Sequence, residues 1–206
     1  TSIDGDQSTN DTVLLVASGA AGAIPLEADS EALSAFGQAV EAVARSLARQ
    51  QAADGEGATT LITCRVSGGR SDADARAAAR AVVSSDLLKA AVHGADPNWG
   101  RIAMAVGNAE LASAESLEAA GLDPEAAGAS AGRPVALDPD RLQIDIEGPP
   151  VFAGVPLEYD EAALSARMRR GEVTIRVDLG RGQGTGEAFG CDLTCEYVIE
   201  NSEYST

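Results

Sequence analysis

Thr59-Thr60-Leu61-Ile62-Thr63-Cys64-Arg65-Val66-Ser67-Gly68-Gly69 is where the chain declares its architecture. Its first eight residues are rich in Thr, Ile, Leu and Val, whose branched side chains suit an extended, half-buried backbone, and Ser67-Gly68-Gly69 ends the run as a turn. Upstream, Leu33, Phe36, Val40, Val43 and Leu47 recur at three- and four-residue steps, while Glu31, Glu41, Arg45 and Arg49 occupy other faces. That spacing predicts an amphipathic helix from about Ser30, its N-cap, to Gln51, broken by Asp54-Gly55. Downstream, Ser71 opens a second helix whose first turn carries Asp72 and Asp74, charges that favour the positive end of a helix dipole. It runs along an Ala-rich face to about Val83. Helix, strand, helix in close succession argues for a layered α/β arrangement.

Working outward, Thr12-Val13-Leu14-Leu15-Val16-Ala17 is an apolar run expected to be a buried strand or a buried helical turn. Leu87–Val92 is a third helical candidate that stops at Gly94, and Ile102–Val106 resumes after the loop Asp96-Pro97-Asn98-Trp99-Gly100-Arg101. Between Glu110 and Gly132 the composition shifts to Ala, Glu, Ser and Gly with only a weak apolar pattern, so 109–133 reads as a solvated surface insertion. Beyond it, Leu142–Glu147 alternates like a strand, Val151–Leu157 is its expected partner, and Asp160–Arg170 has helical character. Glu172–Leu179 and Gly184–Leu193 read as two further strands expected to pair with each other, and Thr194–Asn201 closes the pattern. The predicted organisation is therefore α/β (α+β): residues 1–108 in a layered core, 109–133 inserted, and 134–206 as a smaller α+β unit.

The 206 residues carry 32 acidic against 15 basic side chains, a formal charge of -17. A surface this negative repels phosphate, which argues against nucleic acid and against anionic membranes as partners. No apolar run approaches the roughly 20 residues of a bilayer span, and no signal-peptide pattern opens the chain, so a cytoplasmic protein is expected. Lys89 is the single lysine; every other basic residue is Arg. Excess carboxylate with so little lysine is the balance expected of a salt-adapted protein, where charge repulsion is screened within about 3 Å at 1 M salt. Three cysteines, Cys64, Cys191 and Cys195, and one histidine, His93, make a zinc centre a poor expectation, because Cys191-x-x-x-Cys195 has no second pair. Free thiols are expected instead, and His93 is read as a packed or helix-end residue rather than a general base. Gly180-x-Gly182-x-Gly184-x-Gly186 is read as a hairpin turn and not a phosphate loop, since a strand rather than a helix follows it.

Two short polar segments remain. Asp4-Gly5-Asp6-Gln7-Ser8-Thr9-Asn10-Asp11-Thr12 could satisfy its own backbone in Asx and Ser/Thr turns or could line a polar pocket. In Gly55-Glu56-Gly57-Ala58-Thr59 a carboxylate stands between two glycines just before a strand, where it could meet a substrate ammonium at close range. These two runs, with Asp96-Pro97-Asn98-Trp99-Gly100-Arg101 and the ending Glu200-Asn201-Ser202-x-Tyr204-Ser205-Thr206, resemble in order and spacing the ornithine acetyltransferase family, also called the bifunctional glutamate N-acetyltransferases of arginine biosynthesis.

The resemblance implies a self-cleaving enzyme whose two chains fold together as an N-terminal-nucleophile-like α-β-β-α sandwich. A threonine would take the acetyl group from N-acetylornithine and pass it to glutamate without an external cofactor or metal, acetyl-CoA being the other donor left open. By match to the family's positions, Glu56, Asn201 and Thr206 would hold the amino-acid substrate. The sequence departs from the family at one point: the nucleophile's Ala-Thr-Met-Leu run is missing, and Thr1 matches a position downstream of it. No catalytic residue is therefore assigned within this chain. The expected partners are N-acetylornithine, ornithine and glutamate, the α-chain and the upstream β-chain segment, in a heterotetramer of two α and two β chains. A related threonine-nucleophile amidohydrolase and a non-catalytic interaction module of the same fold are the competing readings.

Overall fold

The computed structural model describes residues 1–6, 10–119 and 121–203. Helix α1, Glu31–Ala53, starts where Ser30 accepts the amide hydrogen of Leu33. Strand β1, Leu61–Gly69, follows, and then α2, Asp72–Val83, capped by Ser71, whose hydroxyl accepts from the Asp74 amide and donates to the Asp74 carboxylate at 2.6 Å. Side-chain caps also start α3, Asp86–His93, at Ser85 and α4, Trp99–Gly107, at Asn98. These caps satisfy amide hydrogens that have no partner within a helix, and each is worth about 1 kcal/mol. Two short helices, α5 (Ala114–Ala119) and α6 (Pro124–Ser130), precede β2 (Gln143–Ile146), β3 (Pro150–Ala153), α7 (Glu161–Met168), β4 (Glu172–Asp178), β5 (Gly184–Cys191) and α8 (Cys195–Glu203).

Among the described residues five strands form one mixed sheet in the order β3-β2-β4-β1-β5. β2 and β3 pair antiparallel as the alternation suggested. The expected pairing of β4 with β5 does not occur: β1 lies between them, parallel to β4 and antiparallel to β5. Strands from both sides of segment 109–133 thus share a sheet. Gly180, Gly182, Gly184 and Gly186, which lead into β5 and begin it, are consequently no hairpin turn. A Cβ at Gly182 would stand 2.4 Å from the Gly69 carbonyl oxygen, at Gly184 2.2 Å from the Ser71 carbonyl carbon, and at Gly186 2.4 Å from the Arg76 amide nitrogen. These residues are small because β5 passes hard against the start of α2.

The two faces of the sheet differ. On one, Ile62, Cys64 and Val66 of β1 and Val173, Ile175 and Val177 of β4 pack with Ala75, Ala78, Ala79 and Val82 of α2, all buried. Each large aliphatic side chain buried there stabilises the fold by roughly 1.5–3 kcal/mol. On the other, α1 touches the sheet through Ala48 and Ala52 against Leu61 and Phe189, and through ion pairs from Arg45 to Glu187 and from Arg49 to Glu172, each 2.5 Å. Leu33, Phe36, Val43 and Leu47 point to solvent.

Two further expectations change. Residues 12–17 are in no regular element, and Val13, Leu14, Leu15 and Val16 are exposed, because nothing among the described residues covers them. Segment 109–133 is less solvated than its composition suggests: Leu111, Leu117 and Ala127 form a small buried cluster against Ala73 and Ala77 of α2.

Candidate functional site

The loop between α1 and β1 carries Glu56, and its two glycines explain how that residue is placed. Gly57 has φ +61°, and a Cβ on it would lie 2.4 Å from the Tyr197 amide nitrogen and 2.7 Å from the Glu196 carbonyl carbon. A Cβ on Gly55 would lie 2.8 Å from Cys191 Sγ and 3.2 Å from Ile3. Only a residue without a side chain lets the loop run this close to α8 on one flank and to residue 3 on the other. Thr194 fastens the contact, its hydroxyl donating to the Gly57 carbonyl at 2.8 Å and accepting from the Tyr197 amide at 3.1 Å.

Two turns along α8, Asn201 Nδ2 donates to Glu56 Oε2 at 2.8 Å and to the Tyr197 carbonyl at 3.0 Å. The structure therefore brings together Glu56 and Asn201; Thr206, the third residue singled out from the sequence, lies outside the described residues. Glu56 stands between two hollows. One, of about 540 Å³, is lined by Asp4, Asp6, Asp11, Asp54 and Glu56, with Arg80 as the one basic side chain among the described residues that line it. The other, of about 430 Å³, is lined by Glu56, Glu200, Asn201 and Glu203. So many carboxylates around one exposed glutamate favour a cationic ligand. Thr1 also borders the first hollow, its hydroxyl donating to the Ala48 carbonyl at 3.4 Å.

Behind the loop, Asp192 is a buried anchor. Its carboxylate accepts from the Thr59 amide at 2.8 Å, the Thr59 hydroxyl at 2.6 Å and the Thr60 amide at 2.8 Å, and it meets His93 Nδ1 at 2.9 Å. Burial alone pushes this carboxyl up, but hydrogen bonds from Thr59, Thr60 and His93 outweigh it and hold the group below the usual carboxylate range. His93, at the end of α3, is thus a tether for Asp192, in keeping with its reading as a helix-end residue.

The front of the site is formed by residues 1–6, which run beside the end of β5, the Ser2 amide donating to the Phe189 carbonyl. Lys89 of α3, fully buried, donates from Nζ to the Ile3 carbonyl and lies 3.8 Å from Cys191 Sγ. Asp4 accepts from the Asp6 amide at 2.9 Å and from the Tyr197 hydroxyl at 2.8 Å. Burial raises its carboxyl, but these two donors and the Lys89 charge bring it below the ordinary range. The same bond to Asp4, with burial second, pushes the Tyr197 phenol up to about 12. Asp4 stands in a polar motif of the sequence, whereas neither Lys89 nor Tyr197 was singled out there as a site residue. The available signal was a solitary lysine set between Leu87-Leu88 and Ala90-Ala91.

The motif Asp96–Arg101 lies in the frame of the fold. Asn98 caps α4 and donates to Asp96, Arg101 donates to the Leu87 carbonyl, the Tyr159 hydroxyl donates to the Pro97 carbonyl, and Trp99 stacks on Phe152 at 4.8 Å. Among the described residues no cluster of His, Cys, Asp and Glu could hold a metal ion, and no helix is long and apolar enough to cross a membrane. All three cysteines are free.

The mixed sheet layered with helices makes this an α/β chain, and its likeness to a solved relative gives the fold as the N-terminal-nucleophile type. That relative, the arginine biosynthesis bifunctional protein ArgJ of Bacillus halodurans, superposes with a TM-score of 0.80 at 35% identity, over 98% of this chain and 85% of its own. The ArgJ family matches residues 1–206, and the chain belongs to that family. It is 49% identical to the arginine biosynthesis bifunctional protein ArgJ of Deinococcus radiodurans, over 99% of this chain and 44% of the relative. It is 41% identical to the glutamate N-acetyltransferase of Methanopyrus kandleri, over 99% of this chain and 47% of the relative. The chain spans less than half the length of these curated relatives.

Proposed function

We propose that the complete protein is an acyltransferase of arginine biosynthesis that moves an acetyl group from N2-acetyl-L-ornithine to L-glutamate, and that this chain supplies its substrate-gripping carboxylate. The observation that carries the reading is the Glu56–Asn201 hydrogen bond beside an acid-lined hollow, in a chain related to glutamate N-acetyltransferases. Glu56 would pair with a substrate ammonium, and Asn201 and Thr206 would add hydrogen bonds. An ornithine derivative brings the cationic amine that such a hollow favours; the Arg80 guanidinium in its wall offers a partner for a substrate carboxylate.

The nucleophile is assigned to the upstream part of the protein, freed by autocatalytic cleavage. Its threonine hydroxyl attacks the acetamide carbonyl, the C–N bond breaks, and ornithine leaves with the proton. The glutamate amine then attacks the ester, the C–O bond breaks, and the threonine regains its proton. Two acyl transfers with a covalent intermediate replace one difficult exchange, with oxyanion donors stabilising the tetrahedral charge. No cofactor is needed. Division into chains is supported by length: this chain accounts for 85% of the solved relative's chain but 44% of the Deinococcus radiodurans relative. The bare apolar stripe of α1 and the exposed run Val13–Val16 supply a surface for the remaining chain, in an assembly of two α and two β chains. Free thiols suit a reducing compartment, which favours the cytoplasm, and the acid excess favours action in concentrated salt.

The test uses the complete, cleaved protein with N-acetylornithine and glutamate, and with acetyl-CoA as a second donor arm. Formation of ornithine and N-acetylglutamate is expected, and Glu56→Ala should raise the amino-acid KM about tenfold or more, since an ammonium would lose its charged partner. Acetyl release that ignores glutamate would make the protein an amidohydrolase, and no acyl transfer from a folded enzyme would make it an interaction module. An unchanged KM in Glu56→Ala would remove that residue from the site.

A further inference from the structure

We propose that Lys89, Asp4 and Tyr197 are positioning residues: a buried ammonium fixes the 1–6 loop, the loop's carboxylate captures the tyrosine of α8, and the helix is thereby held with Asn201 on Glu56. This rests on the reading of Glu56 and Asn201 as the substrate grip.

Helix α8 has no fully buried residue, and Val198 and Ile199 face solvent, so apolar packing contributes little to where it sits. Its position is set by polar links: Thr194 to the Gly57 carbonyl, Tyr197 to Asp4, and Asn201 to Glu56. The first link is at the helix start and the last is the functional contact itself. Tyr197 is the one in between, a residue four before Asn201 and therefore on the same helical face. A phenol donating to an ionised carboxylate is a charge-assisted bond, roughly twice as strong as a neutral one. It can direct the helix only if Asp4 is itself held.

Lys89 supplies that hold. A fully buried lysine is costly to fold unless its charge is solvated by other groups. Here the ammonium meets the Ile3 carbonyl, one residue before Asp4, with Cys191 Sγ at 3.8 Å. Cys191 also sits against Gly55, so the residue that contacts the lysine lies under the loop that carries Glu56. The three elements that meet at Glu56 are thus tied through one ammonium and one carboxylate. The chain otherwise uses Arg for every basic position. An arginine's planar fork would not fit in place of a compact ammonium at a site closed by a carbonyl, a thiol and a helix.

The experiment uses the complete, cleaved enzyme carrying Tyr197→Phe, Asp4→Ala, the pair together, or Glu56→Ala as reference. Tyr197→Phe keeps the ring and removes only the donor. It is expected to raise KM for N-acetylornithine about 5- to 20-fold with kcat changed less than about threefold, and to speed hydrogen exchange of the amides in 195–203. The double variant should be no worse than the more damaged single one, as expected for partners in one interaction. Lys89→Met should move KM in the same direction; if it fails to fold, the other variants decide. An unchanged KM in Tyr197→Phe while Glu56→Ala raises it, or additive effects in the pair, overturns the proposal and leaves the substrate site intact. If Glu56→Ala is silent too, the substrate reading fails, and the latch then stands only if Tyr197→Phe still speeds exchange in α8.

Discussion

Helices α1 and α2 flank the same strand and both have a sequence pattern that demands a covered face, yet only α2 has one. In twelve residues α2 buries Ala75, Ala78, Ala79, Val82 and Val83 against the sheet. In twenty-three, α1 buries Ala52 alone and leaves Leu33, Phe36, Val43 and Leu47 between 40% and 60% exposed. The contrast teaches that hydrophobic periodicity reports a face destined for burial without reporting whether the covering element lies on the same stretch of chain. A contiguous apolar stripe of this kind on a surface marks an interaction site, which the proposed function gives to the rest of the complete protein.

The sharpest way to break that contrast is to delete equal volumes on the two sides. Ile62→Ala, under α2, should cost about 3–4 kcal/mol in denaturant unfolding of this chain, whereas Leu47→Ala on α1 should cost less than about 0.5 kcal/mol. In the complete protein Leu47→Ala should rise to about 2 kcal/mol or more; if it stays near zero, α1 remains open and the contrast is a property of the complete protein. Glycines give the next comparison. Gly57→Ala meets both a left-handed φ and the backbone of α8, and should destabilise by roughly 2–3 kcal/mol. Gly37→Ala, in the exposed interior of α1 with nothing within 4 Å, should stabilise this chain by up to about 1 kcal/mol.

A pH titration sharpens the difference between the anchored loop and the loosely held helix. Because the Asp192 carboxyl is depressed in the folded state, its contribution is complete above the unfolded value of about 3.9 and is lost as pH falls through the folded one. The melting temperature should therefore drop below about pH 4, and Asp192→Asn should flatten that limb while lowering the plateau at neutral pH. The smallest effect belongs to Arg49→Ala: its ion pair with Glu172 is exposed on both sides and should be worth less than about 1 kcal/mol, vanishing in molar salt.

Local features were legible in the sequence because their causes are local. Ser30 and Ser71 cap the helices that their positions suggested, β2 and β3 pair across a short turn, and α7 begins at Asp160. The insertion of β1 between β4 and β5 was not legible, since both partners lie more than a hundred residues downstream and alternation says nothing about neighbours. At the candidate site, Glu56 was singled out because two glycines isolate it, and Asn201 through the family resemblance. Lys89 and Tyr197 were missed because a lysine in an apolar run and a tyrosine near a terminus acquire meaning only when the fold carries them to Asp4.

The central place of β1 also shapes how the protein is made. Synthesis reaches Gly69 long before Glu172, and at ordinary ribosome speeds the delay is roughly 5–20 s. Helix α2 emerges at once to shield one face, but both edges of β1 stay unpaired through that interval, open to strands of neighbouring nascent chains. The polypeptide thus depends on protection during translation in the window between the synthesis of β1 and that of β4.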